Sequence, residues 1–186
     1  MVSIKGSILR SRLALIDEIA PDGGRARVLA RLAATERDVL GSLLVSAWYP
    51  FELGKDLDEA IVAELGGGRT DFFEKLGEAS AEKNLGAGGP HRAFLVAGDP
   101  HAFLAKAPLI YSYYYDLGRR DYEKTGEREG VLTTRDAETF SAPDCLTIVG
   151  WYRRALEMCG ARSPRVVEEE CRARGADVCR YRLSWS

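Results

Sequence analysis

The chain has 186 residues, 46% of them hydrophobic, and its 26 basic residues nearly cancel its 28 acidic ones, leaving a net charge of −2. That length suits one domain, residues 1–186, and the near-neutral balance excludes a strong field for nucleic acid or an anionic membrane. Charges interrupt the opening MVSIKGSILRSRLALIDE too early for a signal peptide, and no apolar run approaches a membrane span, so a cytoplasmic protein is expected.

The first two-thirds reads as helical. Ile8, Leu13 and Ile16 mark one amphipathic stretch that ends before Pro21, and Val28, Leu29 and Leu32 mark a second. After Pro50, Leu53, Leu57, Ile61 and Leu65 recur at helical spacing until Gly66-Gly-Gly68. Thr70 and Asp71 open another helix, carrying Phe72, Phe73 and Leu76. Residues 86–98 form a Gly/Pro-rich connection with a short extended piece at 94–96. Asp99-Pro100 predicts a helix start, because Asp accepts from free N–H groups and Pro loses no bond there. Pro108 then kinks or breaks that helix, and a tyrosine-rich segment follows, with Tyr111, Tyr113, Tyr114 and Tyr115.

The pattern changes at Arg119. Residues 119–127 and 131–139 read as strands joined near Gly130. Pro143-Asp144 opens a helix whose apolar face is Ile148, Trp151, Tyr152, Ala155 and Cys159, stopped by Gly160. The chain closes in a hairpin turned at Gly175-Ala-Asp177. Cys179, Tyr181, Leu183 and Trp185 alternate with Arg180, Arg182 and Ser184, the period of a half-buried strand. A register centred on Gly175 sets Cys171 opposite Cys179 on one face, which suits a disulfide, a metal or core packing. In the cytoplasm the four cysteines read as core residues or metal ligands before disulfides. The expected class is α+β: N-terminal helices packed on a four-stranded antiparallel sheet with a C-terminal β-hairpin.

The ending GWYRRALEMCGA…VVEEECRARGADVCRYRLSW resembles the 4-vinyl reductase domain family. The shared marks are a helix closing in Cys-Gly-Ala, a strand ending in Glu-x-x-Cys, a Gly-centred turn and Cys-x-Tyr. That family belongs to a fold group with haem-NO-binding domains and TRAPP-complex core subunits. The whole chain is also similar to a bacterial family of about this length and unestablished function, opening with a Lys-Gly-Ser segment, here Lys5-Gly6-Ser7, and ending in a Trp-terminated strand. In the phenol-sensing activators that contain the domain, three cysteines and a glutamate hold zinc. The resemblance places those ligands at Cys145, Glu168, Cys171 and Cys179. Zinc takes four such donors in a tetrahedron. Cys145 would follow an N-capping Asp144, where the helix dipole favours a thiolate. Glu168 and Cys171 differ by an odd number, so sharing a face requires a β-bulge. Packing of small buried thiols competes with zinc, and Cys159 reads as packing alone.

Tyr111, Tyr114, Trp151 and Tyr152 are candidates for lining a pocket for a small apolar or aromatic ligand, weighed against an ordinary aromatic core. His91 and His101 are the only histidines. Without the tyrosine–serine–arginine propionate signature of the haem-NO-binding proteins, haem is not expected. The glycine runs lack phosphate-loop and dinucleotide spacing. No catalytic acid, base or redox set stands out, so a tetrapyrrole-modifying enzyme is the least favoured reading. The expectation is a non-enzymatic sensory module with a hydrophobic ligand between helices and sheet and a protein partner or homodimer as output. A TRAPP-like dimeric scaffold is the alternative.

Overall fold

The computed structural model describes residues 2–138 and 140–186. A short strand, β1 (Ser3–Lys5), leads into helix α1 (Gly6–Ile19), whose Leu9, Leu13 and Ile16 are buried as their spacing predicts. Helices α2 (Gly24–Leu29) and α3 (Ala34–Gly41) follow. The sequence reading missed α3 because the helix buries Leu40 alone, leaving no apolar stripe to detect. It also missed strand β2 (Trp48–Pro50), which pairs antiparallel with β1 and is too short for alternation to register. Helices α4 (Phe51–Glu64) and α5 (Phe72–Leu85) lie where the helical spacing after Pro50 and the start at Thr70 and Asp71 put them.

The expected extended piece at 94–96 is instead the end of a 3-10 turn over Arg92–Phe94. Helix α6 (Pro100–Leu104) starts as expected: the Asp99 carboxylate accepts from the Ala102 N–H at 2.9 Å. Of the kink or break expected at Pro108, the structure has the break, the helix ending at Leu104. Pro108 sits in the first turn of a separate helix, α7 (Ala107–Tyr114), where its missing N–H costs nothing. The tyrosine-rich segment is therefore helical, so Tyr111 and Tyr114 share a face.

Strands β3 (Arg119–Gly126), β4 (Glu129–Arg135), β5 (Arg165–Glu170) and β6 (Cys179–Ser184) form an antiparallel sheet in the order β3-β4-β6-β5. The α+β class is as read from the sequence. Strand β4 lies earlier than expected, because Asp136 takes a left-handed φ of 53° and ends the ladder; Thr139, the expected end, lies outside the described residues. Helix α8 (Ala142–Met158) is capped by the Ser141 hydroxyl, which accepts from the Asp144 N–H at 3.2 Å. Asp144 is thus not the N-cap, and its carboxylate is free for other partners.

Helices α5 and α8 cross with their backbones almost touching. A Cβ on Gly150 would stand 1.8 Å from the Glu74 carbonyl oxygen, and one on Gly77 would stand 2.1 Å from that of Thr147. Only glycine permits that approach. Arg153 of α8 clamps the crossing through Glu74 and Glu78 of α5. Two hydrophobic clusters flank it. One joins α8 to the sheet through Tyr152, Leu132, Tyr181 and Leu183, and the other gathers α1 and α4 around Leu9, Ile16, Leu57 and Ile61. Tyr114 packs against both, between the helical layer and the sheet.

Candidate functional site

A cavity of about 390 Å³ opens between these layers. Its walls come from α1, α5, α7 and α8, with Arg120 of β3 at the sheet side and residues 87–90 at one edge. Tyr111, Tyr114, Trp151 and Tyr152 all stand in the lining. Tyr111 donates to the Leu117 carbonyl at 2.8 Å. The hydroxyls of Tyr114 and Tyr152 are buried and find no acceptor among the described residues, while the Arg120 guanidinium stands within reach of the Tyr152 oxygen. Buried phenols usually find an acceptor. Burial raises both above the ordinary phenol value, with the nearby Arg120 charge pulling Tyr152 back down.

Charged residues missed by the sequence reading also face this space. Arg12 of α1 is 5% exposed. Its Nε donates to Asp58 Oδ1 at 2.8 Å and its Nη2 to Asp144 Oδ1 at 2.7 Å. The Tyr115 hydroxyl donates to Asp144 Oδ2 at 2.8 Å. Burial pushes the Asp58 carboxyl up to about 6 against the pull of Arg12.

Arg120 is buried to the same degree but is held differently. Its Nε donates to the Thr134 hydroxyl at 2.9 Å. Its guanidinium carbon lies 5.1 Å from the Tyr111 ring centroid, 5.7 Å from Tyr152 and 5.9 Å from Tyr181. Among the described residues no carboxylate forms a salt bridge with it. Strand alternation was the available signal: Arg119 and Asp121 are exposed while Arg120 points inward, and only the sheet's orientation says which arginine is which.

The histidines separate. His91 follows Pro90 of the lining, and its ring stacks on Phe94 at 5.6 Å and meets Tyr114 edge-on at 5.5 Å. Burial lowers its pKa. His101 lies elsewhere, bonded to Tyr122 and, through Nε2, to the Glu127 carbonyl at 2.7 Å.

The cysteine hairpin forms a second locus. The sulfurs of Cys145, Cys171 and Cys179 lie within 4.8 Å of one another, and all three are buried free thiols. Cys145 Sγ is 3.8 Å from Cys179 Sγ, and the Arg172 N–H donates to Cys179 Sγ at 3.4 Å. The register shift between Glu168 and Glu170 is the bulge that a shared face requires. Glu168 bonds Arg174 through Oε2, while its buried Oε1 has no partner among the described residues. Cys145 is not the dipole-favoured thiolate expected. Its sulfur shares hydrogen bonds with Cys171 and Cys179, and these with burial raise it well above the ordinary value. The same bond brings Cys179 down to about 7. Cys159 is buried at the other end of α8.

Residues 60–186 match the family described as a protein of unknown function, DUF2378. The chain belongs to that family. No curated protein matches this DUF2378 protein. Solved structures do. A mutant H-NOX protein from K. algicida, Fe(II) and unliganded, is similar with a TM-score of 0.72 at 14% identity, covering 98% of this chain and 96% of that one. An H-NOX protein from S. oneidensis in the Fe(II)NO ligation state gives 0.71 at 12% identity, covering 98% and 99%. A mutant of T. Tengcongensis H-NOX gives 0.67 at 8%, covering 98% and 97%. At such identities the likeness shows the fold, which is H-NOX-like.

These neighbours overturn the cofactor expectation, which admitted zinc beside core packing and set haem aside. They are described by iron ligation state, and one further neighbour by the function of haem distortion in the H-NOX family. The sequence reading weighed a short propionate motif and a cysteine pattern, and neither measures the architecture around a cavity. Among the described residues no helix is long and apolar enough to cross a membrane.

Proposed function

We propose that this DUF2378 protein is a non-enzymatic, single-domain sensory module whose small-molecule ligand occupies the cavity between α1, α5, α7, α8 and β3. The observation that carries this reading is the cavity itself: about 390 Å³, aromatic-walled, with two buried hydroxyls lacking an acceptor. Ligand sites are concave, mostly apolar and set with a few convergent polar groups. The space favours a ligand over a TRAPP-like scaffold, which needs a filled core. Helices α1 and α7 belong to the wall but not to the sheet, so an occupant that bonds Tyr114 and Tyr152 would favour one arrangement of these layers. A protein partner or a second copy would read that arrangement.

Haem comes to this chain from the neighbours' descriptions, and the donor set can be tested against it. The lining holds no His, Cys or Met among the described residues. His91 adjoins it, and burial favours its neutral imidazole, the form that ligates iron. His91 would hold the iron, and Arg10, Lys83 and Arg120 of the lining would meet acid groups. When bound, haem would supply a site for a diatomic gas. The clustered Cys145, Cys171 and Cys179, with Glu168 beside Cys171, belong to this reading as a clasp between the start of α8 and the hairpin, outside the cavity lining.

Trp151 in the wall provides the readout. A panel of small aromatic and aliphatic compounds, with haemin among them, should include members that change Trp151 fluorescence and raise the Tm. Haemin binding would give a Soret band that shifts in His91→Ala. A panel that moves neither signal in wild type would contradict the reading.

A further inference from the structure

Arg120 has no counter-charge among the described residues. It is 5% exposed, and the groups it bonds or faces are neutral: the Thr134 hydroxyl, the Tyr152 phenol and the rings of Tyr111 and Tyr181. A buried charge is retained when it is paired. Arg12, in the same wall, shows how this fold pairs one, with a carboxylate from each of two helices. Those carboxylates are already engaged: Asp58 and Asp144 both bond Arg12, and Asp144 also accepts from Tyr115.

The groups around Arg120 have one chemistry in common. A guanidinium presents N–H donors in a planar fork that matches a carboxylate. The phenols of Tyr114 and Tyr152 line the same cavity, lack an acceptor among the described residues and can donate. The rest of the nearby wall is apolar or aromatic, with Ile110, Ile148 and Trp151. We infer that the cavity selects an apolar organic acid, whose carboxylate pairs with Arg120 and accepts from Tyr114 and Tyr152 while its hydrocarbon or aromatic body lies against Ile148 and Trp151. This rests on the reading of the cavity as a ligand site and adds the charge of the ligand. A free monocarboxylic acid and a porphyrin propionate share the chemistry.

The test compares matched pairs on the full chain. Isothermal titration with 4-phenylbutyrate and with 4-phenylbutanamide, of the same shape but uncharged, forms one arm. Haemin and its dimethyl ester, followed at the Soret band, form the other. The acid of at least one pair should bind ten-fold or more tightly than its neutral partner. That preference should vanish in Arg120→Met and survive in part in Arg120→Lys. Preference in the first arm assigns a free acid, and preference in the second alone assigns a porphyrin. Equal binding of acid and neutral partner in wild type overturns the carboxylate assignment while leaving the cavity a ligand site. No binding in either arm overturns both. The wild-type comparison stands even if a variant misfolds.

Discussion

Two buried arginines face one cavity, and they are built in opposite ways. Arg12 is closed inside the protein by Asp58 and Asp144, contributed by α4 and α8. Arg120 is surrounded by tyrosine rings and a threonine hydroxyl. The first arrangement satisfies its charge from within and ties three helices together. The second has no carboxylate partner among the described residues and leaves its charge toward the cavity, where a molecule from outside would answer it. The contrast separates what holds this fold from what the fold offers.

The sharpest way to break the contrast is to delete each arginine in turn. Arg12→Met would strand two buried carboxylates, and breaking such a pair costs about 3–5 kcal/mol. Urea unfolding should show that loss with or without ligand. Gly150→Ala should cost about 3 kcal/mol, because its Cβ meets the α5 backbone rather than a flexible side chain. It acts on both regions at once, since α8 carries Asp144 as well as Trp151 and Tyr152. It therefore sets the scale for a general loss of fold. Arg120→Met should differ from both: removing an unpaired buried charge should change unfolding free energy by less than about 1 kcal/mol, or raise it. If Arg120→Met destabilised as strongly as Arg12→Met, the two sites would be equivalent and the distinction would fail.

The smallest effect concerns the cavity edge. His91 should titrate below about 6.5 in an NMR pH series, since burial disfavours its charged form. With its folded pKa below the unfolded one, its contribution to stability is present above about pH 6.5 and is lost as pH falls through the folded value. Haemin bound through His91 would abolish the titration.

The same contrast explains what the sequence could and could not disclose. Helices α1, α4, α5 and α8 were legible because each carries a long apolar stripe, and the closing hairpin because its second strand alternates cleanly. The aromatic candidates were named because tyrosine and tryptophan are conspicuous in chain order. Their common wall was not readable, since it depends on α7 being a helix and on two glycines drawing α5 against α8. Arg12 and Asp58 are 46 residues apart, and no local pattern joins them. Arg120 sits beside another arginine in an ordinary charged strand. Asp144 reads locally as a helix cap, and only the Ser141 hydroxyl in that role reveals that its carboxylate goes to Arg12 and Tyr115. The bulge at Glu168–Glu170 could be stated as a requirement from residue parity alone. The cofactor expectation failed because the H-NOX neighbours share architecture at 8–14% identity, below what short motifs can follow.

The measurement that bears most directly on the account is the thermal midpoint of wild type and Arg120→Met, each with 4-phenylbutyrate, with 4-phenylbutanamide and with haemin. A carboxylate-bearing compound that raises the midpoint of wild type well above its response to the amide, and leaves Arg120→Met unmoved, is the predicted result. Equal shifts in the two proteins, or no shift in either, would contradict the claim that this cavity holds an acid on Arg120.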